Sequence, residues 1–214
     1  MDRVADIRQR LINKYRDGLF RSGTVELRGV SFIADEPYFF KAPNQEYIDA
    51  ELNWYMSQNL NVDSLAALYG QRVKIWDYVC DKDGIINSNY GHLIYSKDNN
   101  NQYRKVLWEL KRDPYSRRAV MIYTNPNMHE QATENGRNDF VCTNTVQYFI
   151  DIDQVDAVVN MRSNDVFFGY TNDYAWQKKV LDDLAWDLGK APGRITWQVG
   201  SFHVYERHYN WLAS

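Results

Sequence analysis

Cysteine is scarce in this chain: 214 residues hold two, Cys80 and Cys142, in contexts that share no motif. Two thiols cannot build a disulfide scaffold, and no CxxC or His/Cys cluster marks a zinc site. The four histidines are scattered, so no metal is expected. Long apolar runs are missing too: none approaches the roughly 20 residues that cross a bilayer. The first stretch, MDRVADIRQRLINKYRDG, is charged throughout and lacks the apolar segment of a signal peptide. A cytoplasmic chain with reduced thiols and no membrane partner is the expectation. Basic excess is the last absence. With 25 Lys and Arg against 28 Asp and Glu the formal charge is −3, which disfavours direct nucleic-acid binding. A few local arginines would still suffice for one small phosphate.

What is present points to one core. The length suits a single domain over residues 1–214. Tyr, Phe and Trp are plentiful, and most such rings fill cores rather than stack on bases. Val4, Ile7, Leu11 and Tyr15 fall at helical spacing, so residues 2–17 read as an amphipathic helix that stops near Asp17-Gly18. Residues 24–33 read as a strand, 44–59 and a stretch near 72–80 as helices, 83–89 as turn-rich, and 99–112 as a helix ending before Asp113-Pro114. The second half changes character. Residues 118–124, 142–150, 155–162 and 194–205 read as strands rich in β-branched and aromatic residues, with a helix over 172–189 ending on Gly189. The layout is α+β. The polar stretch 125–139 is long for a connection and reads as functional or mobile. It leads directly to Cys142.

A lone cysteine at a strand start is, by itself, more often a small buried hydrophobe than a nucleophile. Four arginines change the setting: Arg21 in RSGT, Arg117 and Arg118 in DPYSRR, and Arg162 in MRSND. Each alone is an ordinary surface charge; together they could form a phosphate clamp, since guanidinium groups bind phosphate oxygens bidentately. A thiol near such charge is expected to have a lowered pKa and to be a better nucleophile.

DPYSRRAVMIYTNP, VCTNTVQYF, NMRSNDVFFGYTNDYAWQ and GSFHVYERH, preceded in order by RSGT, AELNWY, KIW and SNYG, resemble the motifs of the thymidylate synthase superfamily over nearly the whole chain. The resemblance implies a thymidylate synthase-like α/β/α fold whose large mixed sheet forms a homodimer interface. It implies a pyrimidine nucleoside monophosphate as substrate and 5,10-methylenetetrahydrofolate as co-substrate. Cys142 would attack carbon 6 of the base. Arg21, Arg162 and Ser163 would hold the 5′-phosphate, with Arg117 and Arg118 reaching across the dimer so that the active sites are shared. His203 and Tyr205 would bind the sugar 3′-hydroxyl. Glu51 would organise proton transfers through water, Tyr90 would assist loss of the carbon 5 proton, and Trp76 and Asp165 would lie near the folate. Without the resemblance, Glu51 reads as helix surface and Tyr90 as core.

Departures from the usual motifs are informative. Val141 and Thr143 stand where Pro and His normally flank the nucleophile, and Ser201 replaces an acidic residue. Asp173 stands where uracil-specific members carry Asn. These differences, with the wording of FIADEPYFF and NDYAWQK, resemble the phage deoxycytidylate hydroxymethylase branch, and imply action in a host cytoplasm. A protonated Asp173 could donate to cytosine nitrogen 3 and accept from its amino group; the alternative is a helix N-cap. Family members also continue further past the His-Tyr strand, so the C-terminal tail that closes over the folate reads as short or missing here.

Overall fold

A computed structural model describes residues 1–213. In chain order the elements are β1 (Asp2–Arg3), α1 (Val4–Arg16), β2 (Phe20–Arg21), β3 (Thr24–Ile33), α2 (Gln45–Ser57), α3 (Val62–Tyr69), α4 (Lys74–Val79), α5 (Tyr90–Tyr95) and α6 (Gln102–Arg112). Then come β4 (Val120–Ile122), α7 (Met128–Gln131), β5 (Thr143–Asp151), β6 (Gln154–Asp165), α8 (Gly169–Asp187), β7 (Ala191–Tyr205) and α9 (Asn210–Ala213). The sheet runs β1-β3-β7-β6-β5-β4, with β2 added on β3. It is mixed: β1/β3 and β6/β7 are parallel and the other pairs antiparallel.

Local chemistry accounts for most elements. In α1, Val4, Ile7 and Leu11 bury one stripe against β3. Asn44, Asn61 and Asn89 accept a backbone N–H at the starts of α2, α3 and α5, the favoured N-cap arrangement. Four short helices, α3, α5, α7 and α9, lie where the sequence pattern predicts none. Helix α8 begins at Gly169 rather than 172. That places Asp173 past the first turn, so it is not the N-cap.

One sheet face is buried and apolar, lined by Val155, Ala157, Val159 and Met161 of β6 and Ile195, Trp197 and Val199 of β7. Helix α8 packs on these two strands, adding Val180, Leu181 and Leu184 to one continuous core. On the opposite face Thr145, Gln147, Val158, Asn160 and Thr196 stay half-exposed.

A kink crosses three neighbouring strands. Buried positions change from Val25 and Leu27 to Val30 and Phe32 in β3, from Met161 to Asn164 and Val166 around the end of β6, and from Val199 to Phe202 and Val204 in β7. Side chains alternate faces along a strand, so this change of parity is one extra residue in each, a bulge that turns the sheet. Gly200 permits the approach: a Cβ there would lie 2.8 Å from the Arg162 carbonyl oxygen. Beyond the kink the inward positions include polar residues.

The stretch 125–139 is structured rather than loose. It forms α7 and a short 3₁₀ turn. Arg137 pairs with Asp81 at 2.8 Å, both nearly out of solvent, and Asp139 accepts from the backbone N–H of Asn87 and Ser88 and from the Ser88 hydroxyl. These contacts fix the approach to Cys142.

Candidate active site

Cys142 sits just before β5, its carbonyl still accepting from the Arg162 N–H at 2.9 Å. The Arg162 side chain folds back over this segment. Its Nε donates to the Val141 carbonyl at 3.0 Å, its Nη2 to the Phe140 carbonyl, and Nη2 lies 3.5 Å from Cys142 Sγ. The guanidinium pulls the thiol pKa down, but burial pushes it up more, with Asp173 and Asp139 adding to the rise, to about 11. The lowered thiol expected from the arginines is therefore corrected: desolvation outweighs the single arginine that is close enough to act.

Thr143, next along, is fully buried and donates from its hydroxyl to Tyr90 Oη at 3.0 Å. Burial pushes the Tyr90 phenol well above its usual value, with the Asp173 and Cys142 charges adding. Tyr90 thus enters the site as a neutral phenol.

Asp173, on α8, faces the same group. Asn164 Nδ2 donates to its Oδ2 at 2.7 Å, and Trp197 Nε1 donates to Asn164 Oδ1 at 3.3 Å. The indole can only donate, so it fixes which end of the Asn164 amide meets the carboxyl. Gly169 clears the space, since a Cβ there would stand 2.9 Å from Asn164 Nδ2. Desolvation, then repulsion from Glu51, raises the Asp173 pKa to about 8, against the hydrogen bonds from Tyr90 and Asn164.

Glu51, on α2, is 4% exposed; it is not a helix-surface residue. Burial raises its pKa to about 7, opposed by hydrogen bonds from Tyr47 and Trp76. Two carboxyls can therefore exchange protons near neutral pH beside a phenol and a thiol that burial keeps protonated, the kind of clustering that marks functional sites.

Around this centre, the parallel register of β6 and β7 sets Ser163 beside Ser201 and Asp165 beside His203. His203 Nδ1 is buried with no partner among the described residues, a polar atom left for a ligand. Tyr205 is exposed and feels the charges of Asp165, Cys142 and Arg162. Asp165 accepts from the backbone N–H of Phe167 and Phe168. Trp76 donates to Tyr47 and packs edge-on against Trp54. Ser201 donates to Glu26 Oε1 at 2.6 Å, so a carboxylate from β3 stands beside the strand that lacks its own.

Three arginines are elsewhere. Arg21 is exposed on β2, lining a shallow hollow with Lys14, Glu26 and Arg28. Arg117 and Arg118 are exposed before β4, where Ala119 pairs beside Tyr148, five residues along β5 from Thr143. Arg118 is paired with Glu109 at 3.1 Å. Within one chain, only Arg162 of the four accompanies Cys142. Among the described residues no group of three His, Cys, Asp or Glu side chains could hold a metal, and no helix is long and apolar enough to cross a membrane. The sequence pattern had not singled out Asn164, Tyr47 or a linking role for Thr143; Tyr47 alone had a readable signal, one helical turn from Glu51.

A sequence profile described as thymidylate synthase matches residues 40–214. The chain belongs to the thymidylate synthase family. It is 52% identical over 193 residues to the deoxycytidylate 5-hydroxymethyltransferase of Enterobacteria phage T4, covering 87% of this chain and 77% of that one. To the thymidylate synthase of Fusobacterium nucleatum it is 32% identical over 167 residues, covering 76% and 57%. The thymidylate synthase fold is seen directly in a thermostable thymidylate synthase A from Bacillus subtilis, with a TM-score of 0.70 and 24% identity over 89% of this chain and 69% of that one. The α+β class and mixed sheet expected from the sequence accord with that fold.

Proposed function

We propose that this chain hydroxymethylates carbon 5 of dCMP, with Cys142 as nucleophile and 5,10-methylenetetrahydrofolate as co-substrate. Similarity to the phage T4 enzyme over 87% of the chain supports the activity, and Asp173 is the observation that carries the choice of base. A carboxyl with pKa about 8 is protonated at neutral pH, so it donates to cytosine nitrogen 3 while accepting from the exocyclic amine. An ionised carboxylate would offer no such donor.

The chemistry follows from the residues. Cys142 loses its proton on the way to attack, helped by Arg162, and its sulfur bonds to carbon 6. The displaced electron pair is delocalised over carbon 5 and nitrogen 3, where the Asp173 proton stabilises it. The folate supplies one carbon at the oxidation level of formaldehyde. Carbon 5 bonds to that carbon; a Glu51-held water, steadied by the neutral Tyr90 phenol, then takes the carbon 5 proton as the carbon–nitrogen bond to the folate breaks and tetrahydrofolate leaves. Water supplies the hydroxyl, and the sulfur leaves carbon 6. The balance is dCMP, methylenetetrahydrofolate and water in, 5-hydroxymethyl-dCMP and tetrahydrofolate out. Trp76 offers a half-buried ring, and Asp165 a carboxylate held by two backbone N–H groups, to the folate side. Ser163 joins Arg162 at the phosphate, Arg21 would reach it from β2, whose register through Thr24 sets it on the Tyr205 side, and His203 and Tyr205 take the sugar.

The reading includes a homodimer with shared sites, the whole chain forming one domain. Its support is the exposure of Arg117 and Arg118, away from their own Cys142, and the half-exposed polar sheet face carrying Thr145, Gln147 and Asn160. Mixing Arg118→Ala chains with Cys142→Ser chains should restore activity in part, because one heterodimer site is intact; no recovery after verified subunit exchange removes the sharing. The decisive experiment incubates the protein with methylenetetrahydrofolate and either dCMP or dUMP and identifies products by mass. A 5-hydroxymethyl product from dCMP is expected. A methyl product formed in step with dihydrofolate would make it a methylase, and no product from either nucleotide a binding relative.

A further inference from the structure

The reaction above requires Glu51 to take and return a proton while its carboxyl keeps one orientation. Something must hold it, and α2 and α4 supply the hold. Tyr47 lies one turn earlier on α2, and its hydroxyl donates to Glu51 Oε1 at 2.5 Å. The Tyr47 hydroxyl oxygen in turn accepts from Trp76 Nε1 at 2.9 Å. We propose that Tyr47 is a positioning residue for Glu51: it locks Oε1 as an acceptor and confines the exchangeable proton of this carboxyl to Oε2. The proposal rests on the hydroxymethylase reading for its catalytic meaning but not for its geometry.

Donor bookkeeping gives the direction of the chain. An indole N–H can only donate, so the Tyr47 oxygen is the acceptor in the contact with Trp76. A phenol has one hydrogen, which is therefore available to Glu51. Reversing the last step would make the Tyr47 oxygen accept twice and take its hydrogen away from Glu51, so the order Trp76 to Tyr47 to Glu51 is the favoured one. Glu51 Oε1 then accepts whether the carboxyl is ionised or neutral, and a proton on Glu51 sits on Oε2. The Tyr47 ring is fixed as well. It packs edge-on against Tyr69, with centroids 5.2 Å apart. Asn44, whose side chain caps α2 at the Tyr47 N–H, also donates to the Tyr69 hydroxyl. The carboxyl is thus tied through Tyr47 to the helix cap and to α4.

The groups that act on Glu51, or feel its charge, come from three helices: Tyr47 and Tyr55 on α2, Trp76 on α4 and Asp173 on α8. Of these, Tyr47 and Trp76 stabilise the ionised form of Glu51. Removing the Tyr47 hydroxyl should raise the pH at which Glu51 ionises. A hydrogen bond to a charged group corresponds to a shift of about one to two pH units.

The test titrates Glu51 directly, by carbon-13 NMR of protein labelled at the glutamate carboxyl carbon, with the signal assigned through Glu51→Gln. Tyr47→Phe should move the midpoint up by about one to two units. Tyr69→Phe, which removes the neighbouring hydroxyl but keeps the packing, should leave it in place. In turnover of dCMP, the acid limb of kcat/KM should move in the same direction, with kcat reduced more than KM is raised. An unmoved or lowered midpoint in Tyr47→Phe, or an equal shift in Tyr69→Phe, overturns the proposal. If the midpoint moves but wild-type protein makes no product, the hydroxymethylase reading falls and the Tyr47–Glu51 link stands.

Discussion

The two sides of the kink in the sheet are built on opposite principles. Before it, β6 and β7 turn Val155, Ala157, Val159, Met161, Ile195, Trp197 and Val199 inward against α8, all nearly free of solvent. Beyond it, the inward and neighbouring positions include Asn164, Asp165 and His203, and the buried carboxyl of Glu51 and the half-buried one of Asp173 close in from α2 and α8. The first region gains stability from apolar burial. The second holds groups that burial disfavours in their charged forms, and an unpartnered His203 Nδ1. Sites are commonly where local stability is surrendered, and the kink is the structural line between the two regimes.

Breaking the polar side should cost activity, not folding. Cys142→Ser is expected to reduce turnover by at least about 10⁴-fold, the scale of removing a nucleophile that acts with its partners as a unit. Binding of dCMP should remain measurable by calorimetry, and the unfolding midpoint should stay close to that of wild type. Cys80→Ser, at a half-buried thiol on the far end of α4, should change neither. If the two phenotypes were exchanged, the site would be misplaced.

Breaking the apolar side should do the reverse. Leu184 on α8 is fully buried, and Leu184→Ala is expected to lower stability by about 2–5 kcal/mol through lost burial and a cavity. Urea unfolding measures it. The activity of the fraction that remains folded should hardly change. A loss below about 0.5 kcal/mol would mean that α8 does not anchor the sheet as its packing indicates.

These two regions were unequally legible in the sequence. The apolar one was plain: Val4, Ile7 and Leu11 announced α1, and β3 was read over the residues it occupies, Thr24–Ile33. The short helices α3 and α5 were not, because six to eight residues give too few turns for a hydrophobic period, although Asn61 and Gly70 bracket α3 with an N-cap and a left-handed stop. The kink was invisible for a related reason. A one-residue change of parity is hidden when the positions after it are polar, as in RSND. At the site, motif order gathered the candidate residues, but the thiol's pKa depends on how much protein surrounds it, which no motif states. Likewise, the capping role open to Asp173 vanishes only because α8 begins at Gly169, three residues before the expected start and four before Asp173.

Base choice sharpens the comparison at a smaller scale. Asp173→Asn should weaken dCMP and improve dUMP, since the amide offers an acceptor and a donor without a proton that follows charge onto nitrogen 3. A mismatched hydrogen-bond pattern costs on the order of 1–3 kcal/mol, so the ratio of kcat/KM for the two nucleotides should shift about ten- to a hundredfold. The Asn164 contact should persist, because the replacement keeps an oxygen on the residue. An unchanged ratio would leave Asp173 without a part in reading the base.

The pH dependence of stability tests whether the polar side gives up stability. Glu51 has its folded pKa raised to about 7 from an ordinary 4.5, so between those values the folded protein binds more protons than the unfolded chain. Stability then falls as pH rises through that window and levels off above it. The penalty is the cost of ionising a carboxyl in a desolvated place, and Glu51→Gln removes the ionisation while keeping a polar side chain that can accept from Tyr47. The variant should therefore be no more stable than wild type near pH 4.5 and more stable by up to about 3 kcal/mol above pH 7, with the gap opening in between. Asp173, raised in the same direction to about 8, remains in both proteins, but its shift depends partly on the Glu51 charge, so the gap reports the pair rather than one residue. Urea unfolding of both proteins at half-unit steps from pH 4.5 to 8 measures the difference. A gap that is constant with pH would show that Glu51 ionises normally, and that the contrast across the kink is one of composition without an electrostatic cost.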